Sequence, residues 1–368
     1  MSADTIIQIV SGFAPDVDGM GDYSRRLAIE LWRQRQIRSH IVVYRRPVSS
    51  GTTPLEDSYS ISYPKSATAE GCLQHVFELI ASGNPPPVLL HWGPYAYTSN
   101  GLPLPFTSML KQLSEKVRLH TLFHETWAHG WPWRRAFWTR RNQREAARRI
   151  LACSHASLTS SEFFHRMLDR LQAGNAPITT VKIFSNIGEI HDPKPLSART
   201  RRLVVFGQET TREGLYRNHA EKLQAVVRNL RLERILDVGS GESARIPSQL
   251  GAIPVERAGF MSESSLSALL ADSVAGVLQY RPEVWEKSGV LAAYQAHGVV
   301  PILAPRGRDS FRPFPDMPFV LIEDVSRPRH SLDETTLQAI ADRSHDYYRN
   351  VVSVVQAARR IASSICSE

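Results

Sequence analysis

Short runs of apolar residues alternate along this chain with longer segments in which apolar positions recur every three or four residues. The short runs predict buried strands, and the longer segments predict helices. The first such unit has a strand at residues 5–10, a loop rich in Gly, Pro and Asp at 11–21, a helix at 23–35 and a strand at 40–44. Strands that alternate with helices predict parallel sheets covered by helices, so the pattern indicates an α/β protein.

The pattern starts again in the second half of the chain. A strand at 202–207 precedes a loop at 208–215 and a helix at 218–230, and further strands lie at 274–280 and 299–304. At about one domain per 150 residues, a chain of 368 residues also favours two domains. We expect a polar linker with two prolines at 191–195, an N-terminal domain at 1–190, a C-terminal domain at 198–345 and a final helix at 346–368.

Two predicted strands of the first half end in histidine, at His91 and at His124. Because the carboxyl ends of parallel strands share one edge of a sheet, we expect both imidazoles at the edge where ligands of open α/β sheets bind. A histidine at a strand end is also common as a structural group. The sequence offers no third metal ligand nearby, which argues against a metal site.

The stretch 286–301 follows the predicted strand 274–280. Ser288 is a suitable N-cap, Gly289 allows close approach to the backbone, and the apolar run 290–296 predicts a buried helix. A helix that starts at the carboxyl end of a strand directs free amides and a positive dipole into the crevice there, which suits a diphosphate. An ordinary strand–loop–helix unit would show the same pattern.

The composition limits the class of protein and the compartment in which we expect it. Apolar residues make up 42% of the chain, and no apolar run reaches the length of a membrane span. The N-terminus has no basic start followed by an apolar core, so we expect a cytoplasmic protein. The three cysteines are far apart and show no CxxC spacing, which favours a reducing compartment. The net charge of +8 suits an anionic partner without selecting one.

The positive charge is concentrated in the segment 131–149, for which we expect a helix followed by a strand at 150–153. The segment contains Trp131, Trp133, Trp138 and the arginines 134, 135, 140, 141, 144, 148 and 149. Basic aromatic helices can lie on an anionic membrane or bind a lipid-linked acceptor. The interpretation we favour is a solvated arginine face and a packed aromatic face, because Ala146, Ala147 and Ile150 already provide a core stripe.

A second motif, Ile235-Leu-Asp-Val-Gly-Ser-Gly-Glu-Ser243, is similar to the first motif of the S-adenosylmethionine-dependent methyltransferases. In that family an acidic residue at the end of the next strand holds the ribose, and Glu256 is the candidate here. The motif lies far from the start of its predicted domain, and a third glycine is replaced by Ser243. A glycine turn after a buried strand is the simpler interpretation.

With both halves in place, the chain resembles the two-domain nucleotide-sugar glycosyltransferases of the GT-B fold, most closely the retaining family 4. The segment from Gly12 to Tyr23 is similar to the family's opening glycine loop, and Phe184-Ser-Asn186 resembles its Pro-Asn-Gly segment. Gly207 stands at the family's phosphate site, and Glu286-Lys-Ser-Gly289 resembles the start of its Glu-x7-Glu segment. The similarity covers nearly the whole chain.

The resemblance implies two Rossmann-like domains that face each other across a cleft, with the C-terminal helix packed back on the first domain. It implies transfer of a hexose, with retention, from a nucleoside-diphosphate sugar to a glycan, lipid-linked or small-molecule acceptor. Nucleic acid is not expected as a partner, and no metal ion or other cofactor is expected. The residues that it assigns are Glu286 and His124 to catalysis; Gly19, Gly21, Gly207, Arg212, Arg217, Lys287, Ser288, Gly289, Val290 and Tyr294 to the donor; and Asp22, Tyr23 and His91 to the acceptor.

The chain departs from the family pattern at two donor positions. Tyr294 stands where the family has a second Glu that binds ribose hydroxyls, and Gln208 replaces the phosphate-binding Arg. Arg212 and Arg217 are the nearby cations that suit phosphate in its place. These departures leave a second hypothesis open, a non-catalytic protein that binds glycan or nucleotide.

Overall fold

A computed structural model describes residues 4–14, 16, 18–46, 56–81, 84–128, 133, 135–171, 176–241, 245–306, 317–327 and 332–366. The chain divides into two compact units. The first contains Met1–Lys182 together with Val354–Glu368, and the second contains Ile183–Ser353. Each unit has its own parallel sheet and its own apolar core on both faces of that sheet.

The sheet of the first unit has seven parallel strands in the order β3-β2-β1-β4-β5-β6-β7. Strands β2 and β3 are added on one side of β1, and strands β4 to β7 on the other side. The strand order therefore reverses between β1 and β4, which makes this position the switch point of the sheet. The strands are β1 Thr5–Val10, β2 Arg38–Val43, β3 Tyr59–Ser62, β4 Val88–Trp92, β5 Leu119–Phe123, β6 Ala156–Thr159 and β7 Ile178–Thr180. The helices between them are α1 Gly19–Arg35, α2 Ala69–Ile80, α3 Leu104–Ser114, α4 Arg135–Cys153 and α5 Glu162–Asp169.

The sheet of the second unit has the order β10-β11-β9-β8-β12-β13-β14, with its switch point between β8 and β12. Its strands are parallel except for the β10–β11 pair. They are β8 Thr200–Phe206, β9 Arg234–Val238, β10 Gln249–Leu250, β11 Ile253–Gly259, β12 Ser273–Tyr280, β13 Val300–Pro305 and β14 Val320–Leu321. The helices are α6 Glu209–Asn229, α7 Glu263–Ala271, α8 Gly289–Ala296, α9 Ile322–Ser326 and α10 Glu334–Tyr347.

The C-terminal helix belongs to the first unit, as expected. After a π-helical turn at Tyr348–Val352, the last helix, α11 Val354–Cys366, packs against α1. The Gln34 side chain donates a hydrogen bond to the carbonyl of Val355 at 3.1 Å, and Arg360 donates one to the carbonyl of Thr180 at 2.8 Å. The apolar face of α11, with Ile361 at its centre, is buried in this packing.

Two local predictions are wrong. The run 150–153 is the last turn of α4 and not a strand, because its buried positions continue the helical stripe of Ala146, Ala147 and Ile150. A run of four apolar residues cannot distinguish the two. The predicted loop at 208–215 is the start of α6, which is kinked at His219 (φ −135°, ψ 22°), so one 21-residue helix replaces a loop and a shorter helix.

Candidate functional site

The crevice at the carboxyl ends of β8 and β12 is the switch point of the second sheet. Gly207 follows β8 directly, and its φ of +131° is one that residues with a side chain rarely adopt. A Cβ built on Gly207 would lie 3.4 Å from Cγ2 of Val290, in the first turn of α8. The glycine turn after β8 and the start of α8 are therefore neighbours, as the sequence predicts.

The N-terminus of α8 leaves two backbone amides open. The Ser288 hydroxyl accepts from the amide of Leu291 at 3.2 Å, and its carbonyl accepts from the amide of Ala292 at 3.0 Å. The amides of Gly289 and Val290 have no hydrogen-bond partner among the residues that the structure describes. Gly289 has open space at its Cα, and unpaired amides at the positive end of a helix dipole are groups that bind anions.

The 3-10 turn Pro282–Lys287 brings two more predicted residues to this crevice. Glu286 and Lys287 end the turn and directly precede the Ser288 cap; both side chains are half-buried. Trp285 of this turn is buried, and its ring packs edge-on against Phe319 at a centroid distance of 5.2 Å. The crevice thus holds an acidic and a basic side chain beside two open amides.

The prediction that Arg212 contacts a phosphate is wrong. Arg212 lies on α6 with its guanidinium buried, where Nε donates to the carbonyl of Gly207 at 3.0 Å and Nη2 donates to the carbonyl of Ser240. Its Nη1 forms an ion pair with Asp237, which is equally buried. Burial raises the pKa of Asp237, and Arg212 opposes that rise. The guanidinium therefore ties together the loops after β8 and β9, and so holds Gly207 in place.

The prediction that Tyr294 binds the donor is also wrong. Its side chain is fully buried, and its hydroxyl lies 2.9 Å from the carbonyl of Val204 and 3.2 Å from that of Val277. The ring occupies the space above Gly276, where a Cβ would come within 2.4 Å of it. Tyr294, predicted as a ligand, is instead a core residue that joins α8 to β8 and β12.

Arg217 remains accessible. It is exposed on α6 and, with Arg245, Glu213, Tyr216 and Pro247, lines an open cavity of about 280 Å³. The exposed Arg245 forms an ion pair at 3.4 Å with Glu213, whose side chain is mostly buried. Sequence reasoning missed Arg245, since its position relative to α6 depends on how the loop after β9 folds. Arg245 already pairs with Glu213, the acidic residue of this cavity, and Arg217 is exposed beside them.

The start of α1 in the first unit differs from that of α8. The Asp18 carboxylate accepts from the amides of Met20 at 3.0 Å and Gly21 at 2.9 Å, and the Ser11 hydroxyl donates to it at 3.1 Å. A Cβ on Gly21 would lie 2.6 Å from the carbonyl of Gly12. The chain's own backbone therefore covers Gly21, and the predicted donor contact there is wrong, whereas Gly19 is exposed with open space at its Cα.

Asp22 is partly buried in the first turn of α1, and burial raises its pKa. Asp16 and Asp18 have the spacing of an Asp-x-Asp metal motif. The carboxylate of Asp18 is already engaged as the helix cap. Within the described ranges, no group of three or more potential metal ligands comes together.

The two predicted histidines lie side by side, and both are buried. His91 is fully buried on β4, and its Nδ1 lies 3.0 Å from Nε2 of His124, which follows β5. His124 is 8% exposed. Tyr23 is buried with its ring against both imidazoles, at centroid distances of 5.8 and 5.0 Å. The predictions that His91 and Tyr23 contact an acceptor are therefore wrong, because neither is accessible.

Sequence reasoning missed Gln8, which contacts His91 from β1. Its Oε1 lies 2.9 Å from Nε2 of His91, and its Nε2 donates to the Ser39 hydroxyl at 2.8 Å. Both Gln8 and Ser39 are fully buried. The available signal is the polar residue within the apolar strand Thr-Ile-Ile-Gln-Ile-Val.

The aromatic residues of the basic segment are not packed into the core as we expected. Trp133 is 76% exposed, Trp138 73% and Phe137 36%. Gln143, not an aromatic residue, joins the alanine stripe on the buried face of α4. The residues 129–132 and 134, including Trp131, lie outside the described part of the chain. The helix α4 itself carries six arginines and one glutamate, and hence a net charge of +5.

The methyltransferase motif forms a glycine turn after β9. Glu256, the candidate ribose ligand, lies inside β11 and pairs with Arg234 at 3.0 Å, while Asp237 is engaged by Arg212. Residues 242–244 of the motif lie outside the described ranges. Among the helices that the structure describes, none is long and apolar enough to cross a membrane.

Comparisons with known proteins agree on the architecture. No protein-family model matches the chain. No curated protein sequence matches it either. Among solved structures, sucrose-phosphate synthase from Thermosynechococcus elongatus aligns over 98% of both chains with a TM-score of 0.65 and 14% identity.

Two further structures align over the whole length. The α,α-trehalose 6-phosphate synthase from Burkholderia multivorans covers 99% of this chain and 96% of its own, with a TM-score of 0.63 and 11% identity. An α-glucosyltransferase in complex with UDP-glucose and DNA covers 99% of both chains, with a TM-score of 0.64 and 10% identity. These neighbours are GT-B glycosyltransferases. The chain therefore has the GT-B fold, with two parallel α/β units of the Rossmann type.

Proposed function

We propose that the protein is a glycosyltransferase that uses a nucleoside-diphosphate sugar, with the diphosphate bound at the start of α8. The observation that carries this proposal is the pair of open amides at Gly289 and Val290, next to the glycine turn at Gly207. Several structural neighbours are named with UDP or a UDP-sugar bound, which supports a nucleotide-sugar donor.

The chemistry breaks the bond between the anomeric carbon and the diphosphate, and forms a new bond from that carbon to the oxygen of an acceptor hydroxyl. The proton of that hydroxyl leaves with the diphosphate or passes to solvent. Negative charge develops on the departing diphosphate, so fixed amides and the helix dipole at Gly289 and Val290 stabilise the transition state. Lys287 and Arg217 are the accessible cations that support the same charge. Glu286, beside the amides, orients sugar hydroxyls in this proposal. The assignment of His124 to catalysis stays a prediction.

The proposal includes transfer of a hexose with retention of the anomeric configuration, and without a metal ion. The resemblance of the Gly207 and Glu286 segments to family 4 supports retention. The anomeric coupling constant of the product in a proton NMR spectrum tests this part, and an inverted product contradicts it. Full activity in excess EDTA is the outcome expected for a metal-free reaction.

The sharpest test replaces Gly289 by proline. Gly289 is the first residue of α8, where proline is tolerated because the amide has no partner within the helix, and Ser288 before it is extended (φ −78°, ψ 106°). Gly289→Pro deletes one open amide, whereas Gly289→Ala keeps it and fills open space. We expect the proline variant to bind the nucleoside diphosphate about tenfold more weakly, as for the loss of one charge-assisted hydrogen bond.

Calorimetric titration with UDP, GDP, ADP and TDP, and with the matching sugars, measures this difference. Binding by alanine and proline variants with equal affinity would rule out the α8 site. If none of these nucleotides binds the wild-type protein, the donor class is wrong, and binding of S-adenosylhomocysteine instead would favour a methyltransferase. Tight nucleotide binding without release of nucleoside diphosphate, for any acceptor offered, would favour the non-catalytic hypothesis.

We further propose that α4 rests on an anionic membrane, as part of a reaction with a lipid-linked acceptor. Phe137 and Trp138 in its first turn and Trp133 just before it are exposed, and the helix carries a net charge of +5. Exposed aromatic rings next to arginines suit the interface of an anionic bilayer. We expect the protein to co-sediment with vesicles containing phosphatidylglycerol but not with phosphatidylcholine alone, and expect Trp133→Ser/Trp138→Ser to abolish it. Equal sedimentation of the variant would refute this surface.

Glycans and small molecules are the other acceptor classes, and the nucleic-acid class is excluded from the proposal. One structural neighbour is named for a complex with DNA, so the acceptor screen needs a DNA arm. Transfer of labelled sugar to DNA would overturn the exclusion.

A further inference from the structure

One face of α4 carries an aromatic ring and three arginines, and all four side chains are exposed. They follow the spacing i, i+3, i+4 and i+7, which places them on one side of a helix. The four residues, which we call the arginine face, are Phe137, Arg140, Arg141 and Arg144. The whole chain has a net charge of +8, and α4 alone carries +5, so this helix holds more than half of that charge.

The buried side of α4 is fixed to the body of the first unit by Gln143, which is fully buried. Its Oε1 accepts a hydrogen bond from the amide of Ala128 at 2.7 Å, and its Nε2 donates one to the carbonyl of Gly101 at 3.1 Å. Because one partner is an N–H and the other a carbonyl, the orientation of the Gln143 amide is not ambiguous. Ala146 and Ala147 are buried on the same side. These contacts fix the rotation of α4 about its axis and keep the arginine face outside the core.

The acidic residue of α4 does not neutralise this face. Glu145 pairs with Arg148 and with Arg149, both at 2.8 Å. Hydrogen bonds from Arg148 and then from Arg149 lower the pKa of Glu145 to about 2, so its carboxylate stays ionised and engaged at neutral pH. Within the described part of the chain, no carboxylate pairs with the three arginines of the arginine face. Like charges three or four residues apart on a helix repel each other, and an external anion would relieve that repulsion.

Phosphate is the anion that suits these side chains. A guanidinium presents parallel N–H donors that match two oxygens of a phosphate, and it stays charged at every physiological pH. The exposed rings favour a membrane as the source of the phosphate. Trp133, Phe137 and Trp138 precede the arginines along the chain, so the rings form an apolar end and the arginines a charged end. A helix at the boundary between acyl chains and headgroups has this composition, whereas a single-stranded nucleic acid stacks its bases on rings spread along a cationic groove.

We propose that the arginine face binds the phosphate groups of anionic phospholipids, with the ring of Phe137 at the boundary of the acyl chains. This assignment is narrower than a general attraction of α4 to negative charge. It gives no part in phosphate recognition to Arg148 and Arg149, because Glu145 already accepts their hydrogen bonds. The use of the face in sugar transfer to a lipid-linked acceptor rests on the proposed function, but lipid binding itself does not.

A matched pair of double variants separates this face from charge in general. Arg140→Gln/Arg144→Gln removes two charges from the arginine face. Arg148→Gln/Arg149→Gln removes two charges from the same helix and leaves the face intact. All four arginines are exposed, so we expect both variants to fold, which circular dichroism checks.

Co-sedimentation with mixed vesicles of phosphatidylglycerol and phosphatidylcholine measures the affinity. We expect Arg140→Gln/Arg144→Gln to bind about thirtyfold more weakly than the wild-type protein, as for two arginines removed from an anionic surface. We expect Arg148→Gln/Arg149→Gln to stay close to the wild-type protein. Equal losses in the two variants would show that only the net charge matters, and would overturn the proposal.

Two further arms test the phosphate and the membrane. In vesicles where oleate supplies the same negative charge as a carboxylate, we expect weaker binding of the wild-type protein than with phosphatidylglycerol. Binding of equal strength would refute the assignment of phosphate. Single-stranded and duplex DNA form the second arm. Tighter binding to DNA than to the phosphatidylglycerol vesicles, lost in Arg140→Gln/Arg144→Gln alone, would assign the face to a nucleic acid instead.

The vesicle assays need no sugar donor, so they decide the inference independently of the proposed function. Lipid binding with the expected pattern, in a protein that transfers no sugar, would contradict the proposed function and leave the arginine face in place. Sugar transfer by the wild-type protein, together with unchanged lipid binding in Arg140→Gln/Arg144→Gln, would contradict the inference and leave the proposed function in place.

Discussion

Replacement of Tyr294 tests whether this residue is part of the core or part of the donor site. In the structure its hydroxyl approaches the carbonyls of Val204 and Val277, and its ring fills the space above Gly276. Tyr294→Phe removes only the hydroxyl. Tyr294→Glu installs the residue that the resembling family has at this position. Tyr294→Phe therefore keeps an apolar ring in the buried site, whereas Tyr294→Glu places a charged carboxylate there.

The expected magnitudes follow from these contacts. Tyr294→Phe leaves the ring in place and removes one buried hydrogen bond, so we expect a loss of about 1–2 kcal/mol in the free energy of unfolding. Tyr294→Glu removes the ring, which costs about 3–5 kcal/mol for a buried aromatic residue. It also buries a carboxylate, which adds several kcal/mol. Against a typical total of about 5–15 kcal/mol, the glutamate variant is not expected to fold stably.

Urea unfolding followed by tryptophan fluorescence measures the stability, and calorimetric titration measures the affinity for the nucleoside diphosphate. Tyr95→Phe is the control, because Tyr95 is exposed and its change is expected to stay within about 0.5 kcal/mol. We expect Tyr294→Phe to lower the unfolding midpoint and to leave the affinity unchanged. An unchanged midpoint together with a tenfold loss of affinity would show that Tyr294 is a ligand and would refute the reasoning.

Three further outcomes follow from the same contacts. Arg212→Ala leaves Asp237 buried without its partner, so we expect the free energy of unfolding in urea to fall by about 3–5 kcal/mol. The double variant Arg212→Met/Asp237→Leu should recover part of this loss. A loss below about 0.5 kcal/mol in Arg212→Ala would contradict the buried ion pair. Gly207→Ala forces φ +131° on alanine beside Val290, so we expect weaker diphosphate binding by calorimetry than in Gly259→Ala, where φ is +67° and the space is open. His120 is buried and its pKa is lowered to about 4, so the folded state keeps it neutral while the unfolded chain takes up a proton below pH 6.5. Stability should therefore fall between pH 6.5 and 4 by up to about 3 kcal/mol, and His120→Leu should reduce that fall; an unchanged pH dependence of the unfolding midpoint would contradict it.

The alternation of apolar runs and amphipathic segments was sufficient to predict two α/β domains with parallel sheets, and the GT-B fold was implied by the family resemblance. Strands such as β1, β4 and β12 are buried on both faces of a parallel sheet, so their sequences are continuous apolar runs with polar segments around them. The pattern failed where a run is short. The four residues 150–153 fit a strand by composition, and only the helix that precedes them shows that they belong to α4.

The backbone geometry of the site could be predicted from the sequence, whereas the burial of its side chains could not. Gly207, Ser288 and Gly289 lie where the sequence places them, because glycine and N-cap residues mark backbone geometry locally. The burial of Arg212 and Tyr294 depends on partners that are distant along the chain, Asp237 and Val204. No local signal distinguishes a buried arginine from one that binds a phosphate.

The two units share a topology, yet their switch points suit different ligands. At the first, the amides of Met20 and Gly21 in α1 are taken up by the carboxylate of Asp18, whose negative charge opposes a second anion there. At the second, α8 has a neutral cap at Ser288 that engages the third amide only and leaves the first two open. The difference between one aspartate and one serine at the N-cap is thus a physical reason to place the diphosphate in the second unit.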